Sequence, residues 1–184
     1  MANASAGVGV PHGDESIADA ALASDFALHV RGKVVLSDRD AVPASSAEMN
    51  LRSPSDRLPG QWADTAPADF YDGRVLFHGP ELHAITALRS LDKSGIDGLV
   101  RSAPPPDAWL RQPWRSSWVT DPMVLDGSFQ LMVIWCLEYL GAHSLPTRIA
   151  RYRQYTRRFP SDGVIVQCTI DKASTHRVVA DIGY

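Results

Sequence analysis

The 184-residue sequence lacks a strong net charge, a cysteine framework and clustered metal ligands. Lysine and arginine number 18 against 21 for aspartate and glutamate, so the formal charge is -3 and the basic character that recruits nucleic acid is absent. The two cysteines, Cys136 and Cys168, lie in apolar segments where reduced, structural cysteines are common. No pair of histidines has metal-ligand spacing with a third ligand nearby, so we expect no metal site.

The sequence also lacks the signals of a targeting or membrane-spanning segment. Its N-terminal residues contain no basic stretch followed by an apolar run, as a signal peptide would. The longest apolar run, from Met123 to Leu140, is interrupted by Asp126, Gln130 and Glu138. We therefore expect a cytoplasmic protein without membrane contacts.

The first 67 residues predict little compact structure. Residues 1–25 show no sustained period and predict a flexible leader or a fraying helix. Residues 26–38 contain strand formers on both sides of Gly32 and predict a hairpin or a bulged strand. Residues 37–67 are rich in proline, serine and aspartate, which is typical of a linker or a long surface loop. The compact domain is therefore expected from residue 68 to residue 184.

Within that domain the pattern predicts an α+β fold. Residues 95–106 read as a strand ended by three prolines, and residues 107–122 as a tryptophan-rich loop that covers an edge of the core. A long apolar helix follows from about Pro122 to Gly141. Residues 148–159, 163–174 and 176–184 are three antiparallel-strand candidates. One long helix followed by a strand meander suggests a sheet wrapped around the helix.

The helix contains a carboxylate and an amide that share one face. Its other residues leave almost no polar side, so the helix must be surrounded by protein. Asp126 and Gln130 are four residues apart, close enough for the amide to hydrogen-bond the carboxyl. A simpler interpretation is that Asp121 or Asp126 only caps the helix. Asp121, just before Pro122, is the better cap, which leaves Asp126 as a candidate general acid.

Three motifs in order resemble the dehydratase domains of polyketide synthases and polyunsaturated fatty acid synthases. "DPMVLDGSFQ" (121–130) resembles their HPxxxDxxxQ pattern, with Pro122, Asp126 and Gln130 in register. "LFHGPEL" (76–82) resembles the YGPxF motif, and "SLPTRIARYRQY" (144–155) resembles the LPxxI segment. The order and separations agree from residue 71 to residue 155, and more weakly to residue 184.

The resemblance implies the second, C-terminal half of a double hot-dog fold, each half being a curved antiparallel sheet around one long helix. It implies elimination of water from a β-hydroxyacyl chain carried on the phosphopantetheine of an acyl carrier protein, with no other cofactor. Asp126 would be the general acid and Gln130 its positioning partner. The same motifs imply a set of substrate-binding residues: Phe77, His78, Gly79, Pro80 and Leu125.

The sequence departs from the family pattern at its catalytic base. The family base lies in an HxxxGxxxxP motif, and no histidine here has that context; His29 comes closest but lacks the proline. We therefore expect the histidine base on a first hot-dog half outside this chain, and no activity from the chain in isolation. His78 replaces a tyrosine of the upstream motif, and its simplest interpretation is a turn histidine bonded to nearby backbone. We expect no catalytic role for His83, His143 or His176.

A basic segment and an open strand suggest partners. Arginines alternate with aromatics between residues 148 and 159, which is typical of a strand with one solvated face or of a docking surface for an acidic acyl carrier protein; nucleic acid is a distant third alternative. The arginines are Arg148, Arg151, Arg153, Arg157 and Arg158. The last strand candidate runs to the end of the sequence, so we expect a domain truncated at its C-terminus, whose open edge could pair in a homodimer.

Three functions remain open at this point. The first and favoured one is a catalytic half-dehydratase that works beside a histidine-bearing half. The second is a noncatalytic scaffold or carrier-docking half. The third and weakest is a hot-dog acyl thioesterase, because the Asp126 and Gln130 pair and its flanking motifs fit dehydratases better. Residues 26–38 would then be the last strands of the preceding hot dog.

Overall fold

A computed structural model describes residues 2–7, 31–36, 58–156 and 158–184. The chain divides into two units, residues 1–42 and residues 43–184. In the first unit, strand β1 (Ala2–Gly7) pairs antiparallel with strand β2 (Arg31–Leu36). The prediction of a flexible leader or a helix is therefore wrong for residues 2–7, because these residues pair in continuous antiparallel register with β2. The predicted linker lies outside the described residues up to residue 57.

The second unit is built on a four-stranded antiparallel sheet. Its strands are β3 (Ile85–Asp92), β4 (Gly95–Val100), β5 (Val164–Ala173) and β6 (Val178–Gly183), and they are hydrogen-bonded in the order β3-β4-β5-β6. The register shifts within the β3–β4 and β5–β6 pairs. Such irregularities bend strands and increase their twist, which helps a sheet to curve around a helix.

Shorter helices precede and interrupt this sheet. Helix α1 (Gly60–Ala63) and the 3-10 helices Pro67–Tyr71 and Pro80–Leu82 come before β3. Helix α2 (Pro106–Trp109) begins in the proline run that ends β4. Proline suits the first helical turn because its missing N–H would have no partner there.

The central helix, α3 (Pro122–Leu140), begins and ends as the sequence predicts. Asp121 is its N-cap, and the carboxylate accepts hydrogen bonds from the backbone N–H groups of Met123 and Val124. The same carboxylate accepts a hydrogen bond from the N–H of Ala103, which ties the helix start to the chain that leaves β4. Gly141 follows the helix in the left-handed conformation, with φ 63°.

Helix α3 crosses β4 at very short range because glycines stand at the crossing. A Cβ atom built on Gly127 would lie 2.5 Å from Cγ1 of Val100 and 2.9 Å from Cβ of Ala84. A Cβ atom on Gly98 of β4 would lie 2.7 Å from Cδ2 of Leu131. The helix therefore packs with its backbone almost on the sheet, and Asp126, next to Gly127, lies beside the start of β3.

The resulting architecture confirms the predicted α+β hot-dog fold. The core is formed by the inner face of the sheet and the surface of α3, whose fully buried residues include Val124, Leu131 and Ile134. By length and composition α3 could span a membrane, but 56% of its apolar 18-residue stretch is buried within the protein. Its apolar character is that of a helix enclosed by a sheet.

Three details differ from the sequence-based expectation. Residues 148–156 and 158–159 form no strand; they run as irregular chain over the surface. The core also includes Trp62, which precedes the boundary predicted at residue 68. The tryptophan-rich loop only partly covers the core: Trp109 and Trp118 pack with ring centroids 5.8 Å apart, whereas Trp114 is fully exposed.

Candidate active site

The predicted pair on α3 is in direct contact. Nε2 of Gln130 donates a hydrogen bond of 2.7 Å to Oδ2 of Asp126. The pair lies in the first half of the helix, where the four-residue spacing places both side chains on one face. Gln130 is fully buried, whereas 34% of the Asp126 side chain is exposed. The carboxyl group is thus held from the protein side and open on the other.

The buried amide of Gln130 makes two further hydrogen bonds. Its Nε2 also donates to the backbone oxygen of Leu82 at 2.8 Å, and its Oε1 accepts from the hydroxyl of Tyr71 at 2.7 Å. Both amide protons and the amide oxygen therefore have partners. A buried polar side chain is tolerated in a core only when it is paired in this way.

Tyr71 connects this amide to the start of β3. Its hydroxyl accepts a hydrogen bond of 2.8 Å from the N–H of Ile85, and its ring stacks on His83 at a centroid distance of 3.8 Å. Burial raises the pKa of Tyr71 to about 12, so the phenol stays protonated at neutral pH and can donate to Gln130.

His78 faces the same carboxyl group. Its Nε2 lies 3.5 Å from Oδ2 of Asp126, and its ring is packed under the exposed ring of Phe77 at 4.5 Å. Among the described residues, Nδ1 of His78 is buried without a hydrogen-bond partner. The expectation of a turn histidine bonded to nearby backbone is therefore wrong. The Gly79-Pro80 turn aims the imidazole at the acid instead.

Arg101 holds the turn that carries His78 and Leu82 through hydrogen bonds to its backbone oxygens. Leaving the end of β4, its Nε donates to the backbone oxygen of His83 at 2.6 Å, and its Nη2 lies 3.3 Å from the oxygen of Pro80 and 3.2 Å from that of Glu81. The guanidinium suits this role because its donors project in a fixed planar fork. The short 3-10 helix is thus fastened to the sheet edge beside Asp126.

The other predicted substrate-binding residues lie around this group. Phe77 is 67% exposed, while Gly79 and Pro80 are exposed in the turn. Leu125, adjacent to Asp126, is half-buried, and its N–H donates to the backbone oxygen of Asp121. The motifs predicted separately from residues 76–82 and residues 121–130 therefore converge at one location, through the contacts of Asp126 and Gln130 with His78 and Leu82.

The basic segment lies near the N-terminal end of α3. Its Gln154 accepts a hydrogen bond from the Thr120 hydroxyl at 3.0 Å and donates one to the Val119 oxygen at 3.0 Å, just before the helix begins. Four of the five predicted arginines are exposed: Arg148, Arg151, Arg153 and Arg158. Arg157 lies outside the described residues. The segment shares the end of the helix that carries Asp126.

The described residues contain few other groups suited to chemistry. In residues 58–156 and 158–184, no three histidine, cysteine, aspartate or glutamate side chains converge as metal ligands would. Cys136 and Cys168 are free and buried, and burial raises the pKa of the Cys136 thiol, so it is a poor nucleophile.

Comparison with known proteins decides the family. Residues 38–183 match the family model described as the polyketide synthase dehydratase N-terminal domain. The chain belongs to the polyketide synthase dehydratase family. It is also similar to a polyunsaturated fatty acid synthase subunit from a Thraustochytrium species, with 35% identity over 133 residues that cover 72% of this chain and 4% of that protein. The chain thus spans a small fraction of that relative's length. No solved structure matches the chain.

The family assignment leaves one prediction open. The matching family model is described as an N-terminal domain, whereas the three motifs of this dehydratase-family chain resemble the second half of the double hot dog. Assignment to the C-terminal half therefore stays a prediction.

Sequence reasoning did not find two residues of this dehydratase-family site. Tyr71 and Arg101 lie outside the motifs and reach the site across 59 and 18 residues of sequence, respectively. No local pattern marks such contacts, because they arise only when β3 and β4 pack against α3. The one available signal was the start of the resemblance at residue 71.

Proposed function

We propose that this chain supplies the acid half of a dehydratase site within a polyketide or polyunsaturated fatty acid synthase. The substrate would be a β-hydroxyacyl chain on the phosphopantetheine of an acyl carrier protein, and the product an enoyl thioester. The single observation that carries this proposal is the Asp126 carboxyl group, held at 2.7 Å by a buried amide yet partly exposed. Family membership supports the reaction class.

In this proposal Asp126 acts as the general acid. A histidine base on the first hot-dog half takes the proton from the α-carbon, the electron pair forms the double bond, and the C–O bond at the β-carbon breaks. The leaving hydroxyl takes the proton of Asp126 and departs as water, so the acid must be reprotonated before the next turnover. Gln130 keeps the carboxyl group in place during both steps.

We place the chain in the second half of the double hot dog. The order of the three motifs supports this assignment, and so does the position of Asp126 near the start of the central helix. None of the six histidines of the sequence lies in an HxxxGxxxxP motif, which fits a base contributed by another half. Isolated activity is therefore not expected. Like the sequence-based expectation, the proposal assumes a cytoplasmic enzyme without a metal.

The basic segment is our proposed docking surface for the carrier protein. Its four exposed arginines lie on irregular chain tied by Gln154 to the residues that precede α3. Acyl carrier proteins are generally acidic, and opposite charges steer association and fix orientation. A carrier bound there would be at the end of the helix where the acid lies.

A noncatalytic carrier-docking half is the alternative that one observation favours. The histidine of the family motif is missing from the sequence, and a hot-dog half that only binds the carrier would need no base. This alternative predicts carrier binding without any product. It also leaves the three hydrogen bonds that hold Gln130 beside Asp126 without a use.

The test is reconstitution. The chain would be supplied with a β-hydroxyacyl thioester, alone and joined to the upstream region of its parent protein, and the products measured by mass spectrometry. We expect enoyl thioester from the joined protein and none from the chain alone. Absence of product in both cases would support the docking half, and release of free acid would indicate a thioesterase.

A further inference from the structure

We infer that Tyr71 is a positioning residue that fixes the direction of the hydrogen bonds around Gln130 and thereby confines the transferable proton of Asp126 to Oδ1. This inference rests on the proposed function, because the proton matters only if Asp126 is the acid. Its structural part, the direction of the hydrogen bonds, can be tested without any assay of activity.

Two backbone groups set the direction, and Tyr71 connects one of them to Gln130: the N–H of Ile85, the first residue of β3, and the carbonyl of Leu82, the last residue of the 3-10 helix Pro80–Leu82. The N–H of Ile85 can only donate, so the Tyr71 oxygen beside it, 2.8 Å away, must accept. The carbonyl of Leu82 can only accept, so the group of Gln130 that lies 2.8 Å from it must be the NH2. The Leu82 carbonyl contacts the amide of Gln130 directly, whereas the Ile85 N–H acts on it through the Tyr71 hydroxyl.

Only one arrangement satisfies both backbone groups. The Tyr71 hydroxyl accepts from Ile85 and sends its single proton to Oε1 of Gln130, at 2.7 Å. The two amide protons then point to the Leu82 oxygen and to Oδ2 of Asp126. The reversed amide would place its oxygen against the Leu82 carbonyl, with two acceptors facing each other in a buried site, which costs about 1 to 3 kcal/mol or more in unmade hydrogen bonds.

The consequence for Asp126 follows from its two oxygens. Oδ2 accepts from Gln130, and the imidazole of His78 also faces this oxygen at 3.5 Å. A proton on Oδ2 would collide with the amide N–H, so the acid form carries its proton on Oδ1. Among the residues that the structure describes, no hydrogen bond engages Oδ1. This is the oxygen left to face the leaving hydroxyl.

Tyr71 is well suited to hold this direction. Its ring stacks on His83 within 10° of parallel, and it ends the 3-10 helix Pro67–Tyr71, whose Phe70 is buried in the core. The hydroxyl therefore has little freedom to turn away. The substitution Tyr71→Phe removes only this hydroxyl and keeps the ring.

The first experiment is a double-mutant cycle in the protein joined to its upstream region. If Tyr71 acts through Gln130, Tyr71→Phe lowers kcat about tenfold, the size expected for one or two lost hydrogen bonds, and leaves KM unchanged. In the Gln130→Ala background the same substitution then has no further effect. Tyr139→Phe, which removes the same hydroxyl from the far end of α3, leaves kcat unchanged. Losses that simply multiply would overturn the inference.

The second experiment needs neither activity nor a variant. Nuclear Overhauser effects in the wild-type chain place the side-chain amide protons of Gln130 beside Leu82 and Asp126. Finding them beside the Tyr71 hydroxyl instead would overturn the proposed direction. Full activity of Asp126→Asn would remove the dehydratase proposal but not this structural result, so the two failures are distinguishable.

Discussion

The imidazole of His78 and the carboxyl group of Asp126 face each other with 3.5 Å between Nε2 and Oδ2, although 48 residues separate them in sequence. The contact joins the motif of residues 76–82 to the motif of residues 121–130. It also places a second titratable group beside the proposed acid, in the position where the family motif has a tyrosine. The site is therefore more than the pair on the helix.

Removal of the His78 imidazole tests whether this contact supports the reaction. We expect His78→Ala to lower kcat of the joined protein about tenfold, because the imidazole 3.5 Å from the carboxyl group restricts its movement, and a contact of this kind contributes on the order of 1 kcal/mol. His78→Tyr, which restores the family residue, should recover part of the loss. His143→Ala, a change at an exposed histidine beyond α3, is the control and should leave the rate unchanged. Equal rates for His78→Ala and wild type would show that the contact is incidental.

Because α3 crosses β4 so closely, we expect the stability of the protein to fall when one methyl group is added at Gly127. Gly127→Ala would place its Cβ atom 2.5 Å from Cγ1 of Val100, so either the helix or β4 must move. Overpacking of this kind lowers the free energy of unfolding by about 1 to 3 kcal/mol. Urea denaturation measures the change.

The matched control for that prediction is Gly60→Ala. A Cβ atom at Gly60, in the short helix α1, would meet nothing within 4 Å. We expect its free energy of unfolding to be unchanged or slightly higher, because alanine restricts the unfolded chain. If both substitutions had the same effect, the tight crossing would be contradicted.

Whether a contact of the fold or of the site could be predicted from the sequence depends on how many residues separate its two partners. The Asp126 and Gln130 contact was predictable because helical periodicity alone brings residues four apart together. The caps at Asp121 and Gly141 were predictable for the same local reason. The Tyr71 contact was not, since it depends on how the chain before β3 folds against the helix.

The one clear error in the sheet has a physical cause. Residues 148–159 alternate basic and aromatic side chains, as an exposed strand does, and the pattern carries no information about a partner. In the structure Gln154 attaches this segment to Val119 and Thr120 through side-chain hydrogen bonds, and it also donates to the oxygen of Thr156 within the segment. Hydrogen bonds to the loop before α3 thus replace the backbone ladder of a strand.

Alkaline pH tests the environment of Tyr71. Burial raises its pKa from 10.0 to about 12, so the folded protein favours the neutral phenol. The stability that this contributes is complete below pH 10 and is lost as the pH rises from 10 through 12, where the unfolded chain binds fewer protons. Because the group is partly solvated, we expect a loss of roughly 1 kcal/mol.

The comparison for the pH prediction is Tyr71→Phe. The variant cannot ionise at this position, so its free energy of unfolding should fall less steeply than that of wild type between pH 10 and pH 12. Other partly buried tyrosines, such as Tyr184, whose pKa is also raised by burial, are present in both proteins and cancel in the difference. Identical slopes would contradict a buried, neutral phenol at Tyr71.

Charge reversal in the basic segment tests carrier docking. Replacing Arg151 and Arg158 together by glutamate should weaken binding of an acyl carrier protein about tenfold at low salt, and the difference should shrink as salt is added. Arg177→Glu, the same type of change in the turn before β6, is the control. Calorimetric titration at two salt concentrations measures both effects. Unaltered affinity of the double variant for the carrier protein would show that the basic segment is not the docking surface.

The central claim is that Asp126 donates the proton to the leaving hydroxyl. Its most direct test is the single-turnover rate of Asp126→Asn in the joined protein, measured by mass spectrometry of the enoyl thioester. Asparagine keeps the size of the side chain and can still face Gln130, but it cannot serve as the acid. We predict a fall of about a hundredfold or more, typical of a lost general acid, with Asp162→Asn in an exposed turn unchanged. Full activity of Asp126→Asn would contradict the account.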